Sequence, residues 1–144
     1  MKSVIAFSIF LLLFTTFQSS DAVKCVLWTM EGTPELLHDV MQNKPNLKYE
    51  NKTKKVDVQK PITCLDACVL YYCEKNETDA FSGGGCPRNF YDTCSFSQKL
   101  VDEVKNKGPN NLDYHSDDFT IFYVSGCAYE TYGRECMSKK AHGS

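Results

Sequence analysis

The sequence predicts a small α+β domain, disulfide-rich, with an antiparallel sheet, two short helices and four disulfides. Three observations carry this expectation. An apolar leader directs the chain to an oxidising compartment, eight cysteines follow the leader, and short segments of strand and helix periodicity alternate along the remainder.

The leader is MKSVIAFSIFLLLFTTFQSSDA, residues 1–22. Lys2 provides the positive start, Val4–Phe17 is apolar apart from Ser8, Thr15 and Thr16, and the small residues Ser20 and Ala22 precede a cleavage point before Val23. The apolar run is about 14 residues, short of the roughly 18–20 that span a bilayer. No second run of that kind follows and the tail, MSKKAHGS, is polar, so no membrane anchor is expected. Two Asn-x-Ser/Thr sequons, at Asn51 and Asn76, are candidate glycosylation sites on the same route. The expected product is a secreted, extracellular glycoprotein of one cysteine-rich domain, residues 23–144.

Cys25, Cys64, Cys68, Cys73, Cys86, Cys94, Cys127 and Cys136 all lie beyond the leader. An even number in an oxidising compartment implies four disulfides, each stabilising by roughly 2–4 kcal/mol. The densest stretch, TCLDACVLYYC (Thr63–Cys73), lacks the C-x-x-C step of redox motifs and common zinc sites, so its thiols are expected to staple the chain. The pairing itself stays open, because eight cysteines allow about a hundred connectivities.

The elements follow in order. Val23–Met30 has the β-branched and aromatic content of a strand. A helix follows, with Thr33 as cap, Pro34 in its first turn, Leu36, Leu37, Val40 and Met41 as one apolar stripe, and Lys44-Pro45 as its stop. Leu47–Glu50 and Val56–Gln59 flank NKTKK as a hairpin. Thr63–Cys73 reads as a strand buried on both faces, or a short buried helix. Glu74–Gly85, ending in three glycines, reads as a loop. The second helix lies in SFSQKLVDEVKNKGP, with a capping box of Ser95 and Gln98, Leu100, Val101 and Val104 on one face, and Gly108-Pro109 as its end. Asn110–Asp118 is a polar loop. FTIFYV and CAYETYG flank a hairpin turn at Ser125-Gly126, with Phe119, Ile121 and Tyr123 alternating toward the core.

Chemistry is sparse. Lys+Arg 16 against Asp+Glu 18 gives a net charge of -2, which argues for neither nucleic acid nor an anionic membrane as partner. His38 reads as a surface residue of the first helix and His142 lies in the tail. His115 stands among Asp113, Asp117 and Asp118, donors that suit a divalent cation, but the glycine and glutamate of an EF-hand loop are missing and a solvated turn is expected. No G-x-S-x-G or H-E-x-x-H occurs, and Gly83–Gly85 lacks the Lys-Ser/Thr of a phosphate loop. The reading is no enzyme, no metal and no cofactor.

The segment GGGCPRNFYDTC sets Arg88 between Cys86 and Cys94. A basic side chain on a disulfide-braced loop loses little entropy on entering a trypsin-like pocket. The tetrapeptide GCPR is similar to the reactive loop of squash-type inhibitors. More broadly, Lys24-Cys25, Cys64, Cys68, Tyr72-Cys73, Gly85-Cys86 and Cys94 resemble nematode ET modules and the related three-finger domains of snake-toxin and lymphocyte-antigen type. The departures are a last pair, Cys127 and Cys136, that is not adjacent, and two helices beyond that compact design. The resemblance covers about half of the domain. It implies strands pinned by cysteines at one end, projecting loops, and non-catalytic binding of an extracellular protein or receptor.

The expected function is therefore a secreted non-catalytic binding protein acting on an extracellular protein or receptor through exposed loops. Phe81, Arg88, Phe90 and Tyr91 are the candidate binding residues, since aromatic and arginine side chains give large contacts at low entropic cost. The alternative is a serine-protease inhibitor presenting Arg88.

Overall fold

Tyr71 and Tyr72 are neighbours on one strand, point to opposite faces and are both buried, so the sheet must be covered on both sides. The computed structural model describes residues 22–42, 55–65, 67–127 and 139–140. Its strands are β1 (Val23–Gly32), β2 (Lys55–Cys64), β3 (Cys68–Asn76), β4 (Asp79–Gly85), β5 (Asp113–His115) and β6 (Ile121–Cys127). Its helices are α1 (Pro34–Gln42), α2 (Pro87–Thr93) and α3 (Gln98–Lys107), with a 3-10 turn, Ser95–Ser97, between the last two. The strands form one sheet in the order β2-β1-β4-β3-β6-β5, and every pairing is antiparallel. The α+β class and the antiparallel sheet are as expected.

On one face, Val69, Tyr71 and Cys73 of β3 join Ile121 and Tyr123 of β6 under Phe90 and Cys94 of the α2 segment and Val101 and Val104 of α3. Phe90 is the centre of that layer, with its ring 4.9 Å from Tyr123 and 5.8 Å from Tyr71. On the other face α1 lowers Leu37 onto Tyr72 and Ala80, with Met30 and Phe122 alongside. The cap that starts α1 and the glycine that ends α3 are those the sequence suggests. Thr33 accepts the Leu37 N–H at its carbonyl, and the Leu36 N–H at its hydroxyl. Gly108, at φ 86, ends α3 with its N–H on the Lys105 carbonyl. Ser95 opens the 3-10 turn, so α3 begins at Gln98 rather than at the expected capping box.

Four segments differ from the sequence reading. The stretch Thr63–Cys73 is the end of β2 and the start of β3, joined through residues 65–67, rather than one strand. The expected loop Glu74–Gly85 is a hairpin, β3 into β4, and the three glycines are strand residues. Gly83 and Gly84 are needed because aromatic rings lie against the backbone there. A Cβ on Gly84 would stand 2.5 Å from Trp28 Nε1, and one on Gly83 would collide with the Tyr71 phenol and lie 2.8 Å from the Trp28 carbonyl oxygen. Ser125-Gly126, expected as a turn, lies inside β6. There Gly126, at φ 96, takes the skipped position of a bulge between Cys68↔Cys127 and Val69↔Ser125. Part of the expected polar loop Asn110–Asp118 is the short edge strand β5.

A fifth difference concerns Arg88. Cys86–Cys94 is not a bond: the disulfides are Cys25–Cys68, Cys64–Cys86 and Cys73–Cys94. The segment between Cys86 and Cys94 is a third helix, α2, with Pro87 in its first turn and the Asn89 side-chain oxygen accepting the Cys86 N–H at 2.8 Å. Cys127 is disulfide-bonded too, and no described cysteine is free. A chain so cross-linked fits an oxidising, extracellular environment. Among the described residues no helix is long and apolar enough to cross a membrane. The expected leader up to residue 21, the strand Leu47–Glu50, the sequon at Asn51, the CAYETYG strand after Cys127, Cys136 and His142 lie outside the described residues.

Candidate functional site

The loop from β5 to β6 is built on buried Ser116. Its backbone N–H donates to the Ile121 carbonyl, and its hydroxyl accepts the Ile121 N–H at 2.9 Å while donating to Asp118 Oδ1 at 2.7 Å. Asp118 Oδ1 also accepts the Thr120 hydroxyl at 2.8 Å and the Thr120 N–H at 3.1 Å. Those bonds, the Ser116 one foremost, hold the Asp118 carboxyl below the ordinary carboxylate range, so the tip carries a fixed negative charge. The Thr120 carbonyl accepts the Glu74 N–H at 2.8 Å, which ties the tip to β3.

This frame forces the chain to reverse at Phe119, whose φ is 56, the left-handed region that a bulky side chain rarely enters. The reversal lays the Phe119 ring flat on His115, centroids 5.0 Å apart and planes within 10°. Phe119 remains 59% exposed, which corrects its expected place in the core; Ile121 and Tyr123, its partners in that expectation, are fully buried. An exposed aromatic held in a costly backbone conformation is a feature that packing does not explain.

The strand register extends the surface. His115 lies opposite Phe122 and Phe122 opposite Tyr72, so the three share one row of the sheet face. At the far side of Tyr72, α1 sets the His38 ring 4.8 Å from the phenol ring. Glu74 Oε1 accepts the Tyr72 hydroxyl at 2.5 Å and lies 3.4 Å from His38 Nε2. Burial first, then the bond to the Glu74 carboxylate and its charge, push the Tyr72 phenol far above its ordinary value, so it is a fixed donor rather than a titrating group. Among the described residues neither His38 nor His115 bonds a hydroxyl or thiol, and no three metal-ligating side chains come together.

The residues singled out in the sequence fall elsewhere. Phe90 is fully buried, and Phe81 and Tyr91 are half-buried against the same core, with the Lys105 ammonium 4.8 Å over the Tyr91 ring. Arg88 alone of the four is fully exposed, on the first turn of α2, 3.6 Å from Asp92 one turn on. The structure thus separates Arg88 from the aromatic residues meant to accompany it. The turn-forming run Ser116-Asp117-Asp118 just before Phe119 is the signal that marks the tip in the sequence. Comparison with protein-family models, curated proteins and solved structures finds no match to this chain.

Proposed function

We propose that the chain is a secreted, disulfide-braced, non-catalytic protein that binds an extracellular protein or receptor through an exposed loop, the tip between β5 and β6. The observation that carries this reading is Phe119, an aromatic side chain left 59% exposed on a left-handed backbone and braced by Ser116, Asp118 and His115. Pre-ordered aromatic side chains bind with little further loss of entropy. The resemblance to ET and three-finger domains carries the same implication. The reading includes the apolar leader as a cleaved signal peptide and a fourth disulfide that takes in Cys127 and Cys136. Protease inhibition through Arg88 is the weaker reading, because an arginine in α2 lies extended in a protease cleft only if the helix unwinds.

The test is a biosensor panel of recombinant extracellular ectodomains, probed with the wild-type chain, Phe119→Ala and Arg88→Ala. A binder that loses at least tenfold affinity to Phe119→Ala and is indifferent to Arg88→Ala supports the reading. A panel with no binder, or binders indifferent to Phe119→Ala, overturns it.

A further inference from the structure

The turn from β3 to β4 holds a motif that the binding reading does not use. Lys75, Asn76, Glu77 and Thr78 are all exposed there, just beyond Cys73, the last buried residue of β3. Asn76 Oδ1 accepts three hydrogen bonds, from the Thr78 N–H, the Thr78 hydroxyl and the Asp79 N–H, each at 2.9 Å. The carboxamide oxygen is therefore committed to the turn, and the nitrogen is left on the other side. Nδ2 donates one of its two hydrogens to Asp79 Oδ2 at 3.1 Å. The second hydrogen is not used in the turn.

We infer that Asn76 carries an N-linked glycan on Nδ2. The inference rests on the secretory reading, which supplies the co-reactant class, a lipid-pyrophosphate-linked oligosaccharide. A bond forms between Nδ2 and the anomeric carbon of the first sugar. The bond from that carbon to the pyrophosphate oxygen breaks, its electron pair leaves with the lipid pyrophosphate, and one Nδ2 proton is lost to a base of the transferase. The residue x-Thr two positions on is Glu77-Thr78, as the motif requires. Transfer takes place on the unfolded chain, so the folded protein must tolerate the product, and here it does. The substituted amide keeps one N–H, enough for the Asp79 bond, and the sugar leaves an exposed turn. Because the Glu74 N–H is bonded to Thr120, this turn lies beside the β5–β6 tip. The glycan thus borders Phe119 and leaves the Cys64–Cys86 end of the sheet bare.

The experiment expresses the full chain, leader included, in a eukaryotic secretory host, in an Asn51→Gln background that silences the other sequon. Intact mass is read before and after peptide-N-glycosidase in heavy-oxygen water. The expected result is a secreted chain with one glycan, released with conversion of Asn76 to heavy-oxygen aspartate. Asn76→Gln and Thr78→Ala lose the glycan, and Thr78→Ser, which keeps the hydroxyl, retains it. A secreted chain of unmodified mass overturns the glycan and leaves the secretory reading standing. A chain retained in the cytosol overturns both.

Discussion

Phe119 is held at an energetic disadvantage. The left-handed conformation costs a non-glycine residue about 1–2 kcal/mol, and the exposed ring recovers only the stack on His115. Phe119→Gly relieves the strain and adds freedom to the unfolded chain, two effects of opposite sign and each about 1 kcal/mol. Stability by chemical denaturation is expected to stay within about 1 kcal/mol of wild type; a loss on the order of 3 kcal/mol, the scale of a buried phenylalanine, would make the ring a core residue. Tyr72 is the opposite case. Removing its hydroxyl in Tyr72→Phe takes a hydrogen bond from a carboxylate, and about 1.5–3 kcal/mol of stability is expected to go with it. Tyr114 is pushed up to about 12, by burial first and then by its bond to Glu103. For both phenols the folded value exceeds the unfolded one, near 10, so their contribution is complete below about pH 10 and is lost as pH rises through the folded values. Stability should be level up to about pH 10 and fall above it, less steeply in Tyr72→Phe; a fall that is as steep in the variant refutes the assignment to Tyr72. Neither Phe119's exposure nor Tyr72's partner was legible in the sequence. Alternation with Ile121 and Tyr123 pointed Phe119 inward, and only the start of β6 at Ile121 shows that the alternation does not reach it.

At the level of elements, the legible parts were those whose signals are local. Helices α1 and α3 announce themselves by caps and stripes, and β1 by its β-branched and aromatic residues. The Gly83–Gly85 strand was not legible, since glycine is a poor strand former and the rings that require it come from β1 and β3. Helix α2 is hidden for the same reason: it follows a glycine run that resembles a loop, and Pro87 is its one local start signal. Gly83→Ala tests the account: the added methyl meets the Tyr71 phenol and the Trp28 carbonyl, and a loss of about 1–3 kcal/mol is expected. Tyr71→Phe in the same chain removes the nearest clashing atom, the phenol oxygen, and leaves Cζ at 2.5 Å, so the pair should lose somewhat less than the sum of the single changes. Strict additivity would mean that the ring and the glycine are not in contact.

For the molecule as a whole, the three described disulfides divide the work. Cys73–Cys94 is fully buried and clamps the α2 and α3 layer onto β3, whereas Cys25–Cys68 and Cys64–Cys86 gather at the other end, with Cys86 half-exposed. Stepwise reduction with alkylation and peptide mapping should therefore open Cys64–Cys86 first and Cys73–Cys94 last. Replacing Cys73 and Cys94 together by alanine is expected to cost about 2–5 kcal/mol. Early loss of Cys73–Cys94 during reduction would contradict the layered core.

Of the described strands, β1 is the first in the chain and among the last able to find its place. Its neighbours in the sheet are β2, which begins at Lys55, and β4, which ends at Gly85. Until that much chain has emerged, Trp28 and Met30 have no sheet to join and the Cys25 thiol has no Cys68 to meet. Such long-range closure is slow and leaves an unpaired, apolar ribbon open to wrong partners. The folding yield of the chain is therefore expected to rise when chaperones and thiol isomerases are co-produced, and to follow their supply more closely than the stability of the finished protein.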